Sequence, residues 1–245
     1  MYAHAYSEDL AYVHDAGFTA FVRGAAPGIL RLFRQQGIRG GFVVEVGCGT
    51  GVLAARLVEA GYRVLGIDVS PSMLRIARVR APGAAFRAGS FHSARLPACD
   101  AVLSVGECVN YGFDASPSVA RLKGFFRRAH RALRPGGVLV FDFLEPLDGG
   151  SRAGGTHRVG KDWAVLVERT EDRRRHTLVR RITTFRCVGS RYRRTNETHL
   201  LRLLPRRQVV TALRQAGFSV RVRRGYGAMR LEPGHLVVVG RRAEG

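Results

Sequence analysis

Residues 42–68 read FVVEVGCGTGVLAARLVEAGYRVLGID, and this stretch decides the fold. Phe42 to Val46 is a short apolar, β-branched run bounded by glycines, which predicts a buried strand. The glycines lead directly into a helical pattern that ends at Gly61 as a C-terminal cap. Arg63 to Ile67 predicts a second strand, closed by Asp68. The stretch therefore predicts a strand–helix–strand unit with a glycine-rich turn after its first strand.

The same alternation continues as far as residue 147. Ser70 and Pro71 predict the start of a helix, with Ser70 as its N-cap and Pro71 at its first position. Alternating strands and helices are typical of a parallel sheet with helices on both faces. The sequence therefore predicts an α/β fold. The further elements predicted in this part are strands at 85–88, 101–105 and 138–143 and a helix at 117–133.

The first 36 residues predict helices that precede the sheet. Ser7 can cap a helix, and the acids Glu8 and Asp9 fall in its first turn. Gly17 and the stretch Ala26-Pro27-Gly28 are helix breakers, and we expect them to divide the segment into two helices.

The alternating pattern stops at residue 148. Residues 147–155, LDGGSRAGG, are rich in glycine and typical of a linker. Residues 163–203 contain three long β-type runs, separated by the turn signals Glu171-Asp172 and Gly189-Ser190. This arrangement predicts an antiparallel meander.

The end of the chain returns to the first pattern. A helix-like stretch is followed by two short apolar runs, which predict a helix and two final strands joined by GYGAMRLEPG. We therefore expect a core made of residues 1–147 and 204–245, with residues 148–203 inserted into it as antiparallel β structure.

The composition is that of an ordinary globular protein. Of the 245 residues, 46% are hydrophobic and 24% are charged, which excludes a wholly disordered chain. The sequence has no apolar stretch of about 18 residues, so we expect no membrane span. The start, MYAHAYSEDL, carries acids where a secretory signal is basic and apolar, and the four cysteines form no C-x-x-C pair. We therefore expect a cytoplasmic protein with reduced thiols and no metal site.

The formal net charge of +21, taken alone, favours a polyanionic partner such as RNA. Only Lys123 and Lys161 are lysines, so almost all of this charge is carried by arginine. Arginine in place of lysine, with abundant Ala and Gly, is typical of a base-composition bias of the genome. Such a bias should not by itself raise the net charge, so an RNA partner stays open as the less favoured alternative.

The glycine-rich turn at residues 47–51 predicts a site for a ligand that approaches the backbone closely. The following helix points its amide end at that ligand and favours negative charge. A dinucleotide site needs G-x-G-x-x-G, whereas here the third glycine comes one residue early, at Gly51. Asp68 ends the second strand, where a carboxylate can accept both hydroxyls of a ribose. Together with the R-P-G-G turn at residues 134–137, these features form a specific signature.

Three motifs make the chain resemble the class I S-adenosylmethionine (SAM)-dependent methyltransferases, within the group called methyltransferase type 11 or 25. VVEVGCGTG resembles their first motif, GIDVSPSML their second-strand motif, and LRPGGVLVFDF the turn and strand near the end of their core. The resemblance covers residues 40–145 well and residues 205–240 loosely. It implies a Rossmann-like seven-stranded sheet in the order 3-2-1-4-5-7-6 with strand 7 antiparallel. It also implies helices on both faces, an N-terminal helical cap and an antiparallel β insertion after strand 5.

The resemblance implies SAM as the cofactor and S-adenosylhomocysteine (SAH) as its product. The glycine turn would wrap the amino-acid end of SAM, and Glu45 would support that end. Asp68 would hold the ribose hydroxyls, with Val69 and Met73 against the adenine. The family usually has an aspartate after strand three for the adenine amine, whereas this chain reads Gly89-Ser90-Phe91. The cofactor-binding residues implied are Tyr6, Glu45, Gly47, Cys48, Gly49, Gly51, Asp68, Val69, Met73, Ser90, Phe91 and Val105.

Methyl transfer from a sulfonium needs an aligned nucleophile and a dry site, and a base only when the nucleophile is protonated. Glu107 follows strand four, where clefts of open α/β sheets lie, and is one candidate base. A surface acid that bonds the next helix is equally expected there. His14 lies on the helix that commonly covers the cofactor site in this family. It is a weaker candidate base, because a histidine on such a helix is more often packed or exposed than catalytic. Tyr6 either lies over the cofactor or simply packs.

The insertion is the part most specific to this chain. The resembling family often builds a substrate lid after strand five, and Trp163, Phe185 and Tyr192 either wall a pocket there or fill the meander's own core. Residues 169–194 also hold ten arginines, many of which strand alternation would place on one outward face. Such a face could dock RNA, an anionic substrate or a second subunit, or stay solvated.

We therefore favour an enzyme that moves the methyl group of SAM to a nitrogen or oxygen of a small-molecule acceptor by in-line displacement. An RNA methyltransferase that uses the arginine-rich insertion is the alternative among enzymes. A SAM-binding protein without catalysis is the alternative from another class. We expect no membrane partner, and a homodimer stays open.

Overall fold

A seven-stranded sheet forms the centre of the protein. The computed structural model describes residues 5–112 and 119–244. The strands are β1 (Phe42–Val46), β2 (Arg63–Asp68), β3 (Ala85–Ala88), β4 (Cys99–Ser104), β5 (Leu133–Leu144), β6 (Gly154–Val159), β7 (Trp163–Asp172), β8 (Thr177–Val188), β9 (Arg191–Arg202), β10 (Phe218–Arg223), β11 (Gly225–Tyr226), β12 (Met229–Arg230) and β13 (His235–Arg242).

The central sheet has the order β3-β2-β1-β4-β5-β13-β10. Strands β1 to β5 run parallel, and β13 is antiparallel to both of its neighbours, β5 and β10. Because β10 and β13 are the sixth and seventh strands of this sheet, the order 3-2-1-4-5-7-6 with an antiparallel seventh strand is confirmed. The register pairs Val46 with Ile67, so the carboxyl ends of β1 and β2 meet at one edge.

Helices cover both faces of this sheet, and side-chain alternation along each strand divides the core in two. Val43 packs with the helices on one face, whereas its neighbour Val44 packs with the helices on the other. Within the described residues, no helix is long and apolar enough to cross a membrane. The helices are α1 (Glu8–Gly17), α2 (Ala20–Gln35), α3 (Val52–Glu59), α4 (Pro71–Arg80), α5 (Val119–Ala132) and α6 (Arg206–Gln215). The predicted start of α5 near Pro117 lies outside the described residues.

The N-terminal segment forms two helices, but only one of the two predicted breaks is present. The chain breaks after Gly17, and α2 then continues through Pro27. The prediction that Ala26-Pro27-Gly28 ends a helix is therefore wrong. A β-carbon on Gly28 would collide with the backbone of Tyr226, so the glycine allows β11 to approach α2 closely. Pro27 has no backbone N–H, so the helix loses one hydrogen bond there. The packing of α2 against β11 outweighs that loss.

A second sheet of four antiparallel strands, β6-β7-β8-β9, forms the meander. Three of its strands were predicted, but the start of β6 was interpreted as linker, and that interpretation is wrong. The strand pairs with β7 from Gly154 opposite Arg169 to Val159 opposite Ala164. All six residues of β6 are exposed, so no apolar alternation marks it in the sequence.

The meander packs against α1 through an apolar contact. The ring of Trp163 lies 2.6 Å from the position that a β-carbon on Gly17 would take, so the missing side chain makes room for the indole. Leu10 and Val13 of α1 complete this cluster with Val165. The contact fixes the meander over the N-terminal helix and the carboxyl edge of the central sheet.

The predicted tight turn at residues 134–137 is part of β5 rather than a separate element. The pairing with β4 passes from Cys99 opposite Leu133 to Ala101 opposite Val138. Residues 134–137 therefore form an irregularity inside the ladder, with Gly136 in the left-handed region at φ +78°.

Candidate functional site

A cavity of about 910 Å³ lies at the carboxyl ends of β1, β2 and β4. The central sheet forms its floor, α1 one side, and the inner face of the meander its roof. Gly51 lies outside the lining. The other residues implied for the site line this cavity, namely Tyr6, His14, Glu45, Gly47, Cys48, Gly49, Asp68, Val69, Met73, Ser90, Phe91, Val105 and Glu107.

The turn after β1 requires glycine at two places for different reasons. Gly47 has φ +75°, and a β-carbon there would lie 2.5 Å from the Cys108 sulfur. Gly51 also has φ +75°, and its β-carbon would lie 3.0 Å from Ala77 of α4. Gly47 therefore keeps the cavity wall open, whereas Gly51 allows α3 and α4 to pack together.

Two buried acids face the glycine turn. Asp68 accepts hydrogen bonds from the N–H groups of Gly49 at 2.9 Å and Ser70 at 2.8 Å. Burial raises the pKa of Asp68, although these N–H donors act in the opposite direction. Glu45 is also buried, and its Oε2 has no hydrogen-bond partner among the described residues. Burial raises the pKa of Glu45 well above its usual range, and the neighbouring Asp68 raises it further.

These features fit SAM. A buried acceptor atom without a partner needs a donor from a ligand, and an ammonium or hydroxyl group would supply one. The open glycine turn leaves space for that group to approach the backbone. Glu45 and Asp68 therefore form an acidic hollow that suits the cationic amino-acid end and the ribose of SAM.

Val69, Met73, Ser90 and Phe91 lie along the next part of the cavity. Ser90 is buried, and its hydroxyl accepts the N–H of His92 at 3.1 Å. The Phe91 ring packs against His92 and Phe125. This part of the site therefore presents apolar surface and one fixed hydroxyl where the resembling family usually has an aspartate.

Tyr6 connects the central sheet to the meander. Its backbone oxygen accepts the Ser70 hydroxyl at 2.8 Å, and its N–H donates to Glu197 of β9 at 2.9 Å. Glu197 also accepts the N–H of Ser7 at 2.7 Å and its hydroxyl at 2.6 Å. Ser7 stands at the N-cap position as predicted, but its hydroxyl does not cap the helix because it is held by Glu197. His199 Nε2 lies 2.9 Å from the same carboxylate.

His14 lies in the cavity wall beside the edge of the Tyr6 ring. Burial lowers the pKa of His14 to about 4, with a smaller opposing effect from Asp15. Its Nδ1 is buried and has no partner in the part of the chain that the structure describes. The imidazole is therefore neutral near pH 7. The adjacent Asp15 is turned away and forms an ion pair with Arg80 at 2.5 Å.

Glu107 lies in the loop after β4, with φ +55°, and lines the cavity. Its Oε1 accepts from Arg180 of β8 at 2.5 Å, and Arg180 also donates to the Tyr111 hydroxyl at 2.9 Å. Burial lowers the pKa of Arg180, but Tyr111 and Glu107 raise it more, so the net direction is upward. Glu107 is thus tied to the roof of the cavity rather than to the next helix.

Sequence reasoning missed Asp142, which holds this loop in place. Asp142 is 0% exposed and accepts the backbone N–H groups of Gly106, at 2.9 Å, and Glu107. It also accepts the Tyr226 hydroxyl at 2.6 Å, and His235 Nε2 lies 3.1 Å from it. Its only signal is an acid inside the apolar run VLVFDF of β5. Four donors from three segments bind this carboxylate, which therefore holds the loop after β4 in place.

Most of the ten arginines of residues 169–194 are exposed, but those on the strands do not all point outward, so the predicted outward face holds only in part. Arg169 and Arg180 face each other on the inner side and line the cavity. Arg186 and Arg193 also point inward, where both contact Asp9 of α1. Arg194 packs over Phe185 instead. Adjacent residues on a strand point to opposite faces, so a dense run of arginines is divided between them.

The three aromatic residues of the insertion do not wall the cavity. Trp163 packs against α1, and Phe185 lies under Arg194. Tyr192 is 63% exposed. Thus the three aromatic residues neither wall the cavity together nor all fill the core of the meander. Among the described residues, no three His, Cys, Asp or Glu side chains are grouped so that they could hold a metal ion.

Comparisons with known proteins agree with this geometry. Residues 43–137 match the family model of a methyltransferase domain. The chain is 30% identical over 169 residues to the cypemycin N-terminal methyltransferase of a Streptomyces species, a match that covers 64% of this chain and 62% of that protein. The chain therefore spans less than two thirds of the length of this curated relative.

Solved structures share the fold over nearly the whole chain. An S-adenosylmethionine-dependent methyltransferase from Clostridium acetobutylicum superposes with a TM-score of 0.80 at 18% identity, covering 95% of this chain and 97% of that one. The sugar N-methyltransferase KedS8 from Streptoalloteichus superposes with a TM-score of 0.78 at 23% identity, covering 97% and 93%. Residues 43–137 therefore match a methyltransferase domain, and the chain has the fold of S-adenosylmethionine-dependent methyltransferases.

Proposed function

We propose that this protein is a methyltransferase that moves the methyl group of SAM to a nitrogen or oxygen of a small-molecule acceptor. The observation that carries the proposal is the continuous cavity. It extends from Glu45 and Asp68 to the inner face of the meander at Val165 and Ile182. Two ligands that meet end to end inside one continuous cavity suit a direct transfer between them.

Different residues around the glycine turn bind different parts of the cofactor. We assign the amino-acid end to Glu45 and the turn at Gly47 to Gly49, and the ribose to Asp68. Val69 and Met73 lie where the adenine would pack. SAM supplies an activated methyl group on a sulfonium. This chain's own residues bind and orient the cofactor and the acceptor, and they exclude water. Tyr6 closes the site from above because it is tied to both Ser70 and Glu197.

The loop after β4 positions the acceptor. Asp142 fixes the backbone of Gly106 and Glu107, so the Glu107 carboxylate enters the cavity at a defined place. We assign Glu107 as the group that receives a proton from a protonated acceptor, with Arg180 holding one oxygen so that the other is presented. His14 stays neutral and forms part of the wall near Tyr6.

Ligand-dependent stabilisation tests the cofactor site. SAH should raise the melting temperature of the protein, by an amount equivalent to about 2.7 kcal/mol at a hundredfold excess over its Kd. Asp68→Asn should lose most of this shift. Asp172→Asn, at the end of β7 and absent from the cavity lining, is the matched control and should keep it. A wild-type protein that neither SAM nor SAH stabilises would contradict the proposal.

A transfer assay then tests the acceptor class. Methyl-labelled SAM is incubated with the protein and a cell extract, and the products are separated into RNA, protein and small-molecule fractions. Label in the small-molecule fraction that depends on Asp68 supports the proposal. Label in RNA would overturn the acceptor class, and binding without any transfer would favour the non-catalytic alternative.

A further inference from the structure

Two arginines of the cavity lining form no ion pair within the described chain; burial lowers the pKa of Arg152, and the acids Glu171, Glu107 and Glu145 only partly offset this. Arg169 of β7 and Arg152, just before β6, both line the cavity. The Arg169 side chain makes no hydrogen bond or ion pair with residues 5–112 or 119–244, and its Nε is buried. Arg152 Nη1 is likewise buried without a partner in the described chain, while Nη2 reaches only the Pro233 carbonyl oxygen, at 3.4 Å.

Other arginines of the protein form ion pairs with acids. Arg180 pairs with Glu107 at 2.5 Å, and Arg193 pairs with the buried Asp9 at 2.5 Å. Arg80 pairs with Asp15. Arg152 and Arg169 therefore differ from these three arginines, because they line the cavity without an ion pair in the described chain.

The β-ladder makes the charge of Arg169 unfavourable unless an anion is present. Arg169 stands directly opposite Arg180 on adjacent strands, and like charges in that position repel. Glu107 compensates Arg180 but leaves Arg169 uncompensated. A guanidinium N–H removed from water without an acceptor also costs free energy. Both costs disappear if a ligand brings an anion between the two free arginines.

Arg180 stands between Arg169 and Glu107, because it lies opposite the first on the adjacent strand and donates to the second. The cavity lining also contains aliphatic side chains, namely Val165 and Val167 of β7, Ile182 of β8 and Leu144 of β5. A molecule that reaches from Glu107 to Arg169 would therefore pass Arg180, contact aliphatic side chains with its body and place an acidic group at its far end.

We propose that Arg152 and Arg169 form an anion-binding subsite for a carboxylate or phosphate group of the methyl acceptor. The inference rests on the proposed methyl transfer and narrows its acceptor to an acidic small molecule. A guanidinium presents parallel N–H donors that match the oxygens of a carboxylate or a phosphate. The two guanidinium groups can therefore bind one anion from two sides.

Anion titration tests the subsite without knowledge of the acceptor. The protein is saturated with SAH and titrated with inorganic phosphate or with sodium acetate at constant ionic strength, and the melting temperature and the binding heat are recorded. The variants are Arg169→Gln and Arg152→Gln. Arg181→Gln is the matched control, because Arg181 neighbours Arg180 on β8 but does not line the cavity.

We expect at least one anion to bind the wild type and the control alike, and roughly tenfold or more weaker binding in Arg169→Gln and Arg152→Gln. Preference for phosphate indicates a phosphate group on the methyl acceptor, and preference for acetate indicates a carboxylate. Without anion, Arg169→Gln should be as stable as the wild type or more stable, because it removes repulsion from Arg180. Equal anion binding in all four proteins would overturn the subsite. Because SAH binding is measured in the same samples, a failure of the proposed function would be seen separately.

The labelled product provides the second test. Small-molecule product from the extract assay should be retained on an anion exchanger near pH 8, and its yield should fall in Arg169→Gln but not in Arg181→Gln. A labelled product that passes through the exchanger uncharged would overturn the inference while leaving methyl transfer established.

Discussion

The carboxylate of Glu197 offers a sharp test of how the N-terminal segment is held. It accepts hydrogen bonds from the backbone N–H groups of Tyr6 and Ser7 and from the Ser7 hydroxyl, and it contacts His199. The residue is 9% exposed, so these donors have little access to water. Removal of the carboxylate leaves them unpaired, and each buried donor left without an acceptor costs about 1–3 kcal/mol.

We therefore expect Glu197→Ala to lower the free energy of unfolding by about 4 kcal/mol. Glu197→Gln keeps the shape and two acceptor sites on one oxygen, so it should lose about half of that amount. Glu168→Ala, on an exposed position of β7, is the control and should change the stability little. Urea denaturation followed by circular dichroism measures all three. Losses of less than about 1 kcal/mol in Glu197→Ala would refute the assigned role of the carboxylate.

The pH dependence of this effect has a defined sign. Burial alone would raise the pKa of Glu197, but hydrogen bonds from His199 and Ser7 bring it below the usual value of 4.5. An acid whose pKa is lowered on folding stabilises the protein above its unfolded pKa and loses that contribution as the pH falls through the folded pKa. The stability gap between wild type and Glu197→Gln should therefore be full near pH 7 and shrink below about pH 4. A gap that widens in acid would contradict the assignment.

Three further predictions concern the cofactor edge and the acceptor loop. Gly51→Ala should destabilise the protein by about 1–3 kcal/mol more than Gly37→Ala, because both have positive φ but only Gly51 lies against α4; chemical denaturation measures the difference. Tyr226→Phe removes one of the donors to the buried Asp142 and should cost about 1.5–3 kcal/mol in the same assay. Since burial raises the pKa of Glu45 well above its usual value of 4.5, the cationic end of SAM should bind more tightly as the pH rises through the raised pKa, and calorimetry should show that Glu45→Gln loses this dependence.

The central sheet could be predicted because its signals are local. A glycine turn after a buried run and an acid ending the next strand, Asp68, both depend on residues close in sequence. The strand order follows from the resemblance to the SAM-dependent methyltransferases, and the observed sheet confirms it. β6 could not be predicted in this way, because its exposed, glycine-bearing residues form a strand only by pairing with β7.

The acceptor side depends on contacts that the sequence does not reveal. Arg180 and Arg181 are neighbours in the chain, yet only Arg180 reaches Glu107, because the register of β8 decides which one faces inward. Asp142 stands in an apolar run and is joined to Tyr226 and His235 from distant segments. Such pairings follow from tertiary packing, so a pattern within one strand could not identify them.

The position of Tyr6 also sets an order of events during protein synthesis. Tyr6 is bound to a partner 191 residues further along the chain, so it leaves the ribosome long before that partner exists. At about 5–20 residues per second, the wait lasts on the order of ten seconds or more. The nascent chain can pair β1 with β2 and place Asp68 during that time. The binding site is thus finished by the earliest part of the chain, which is among the last to find its place.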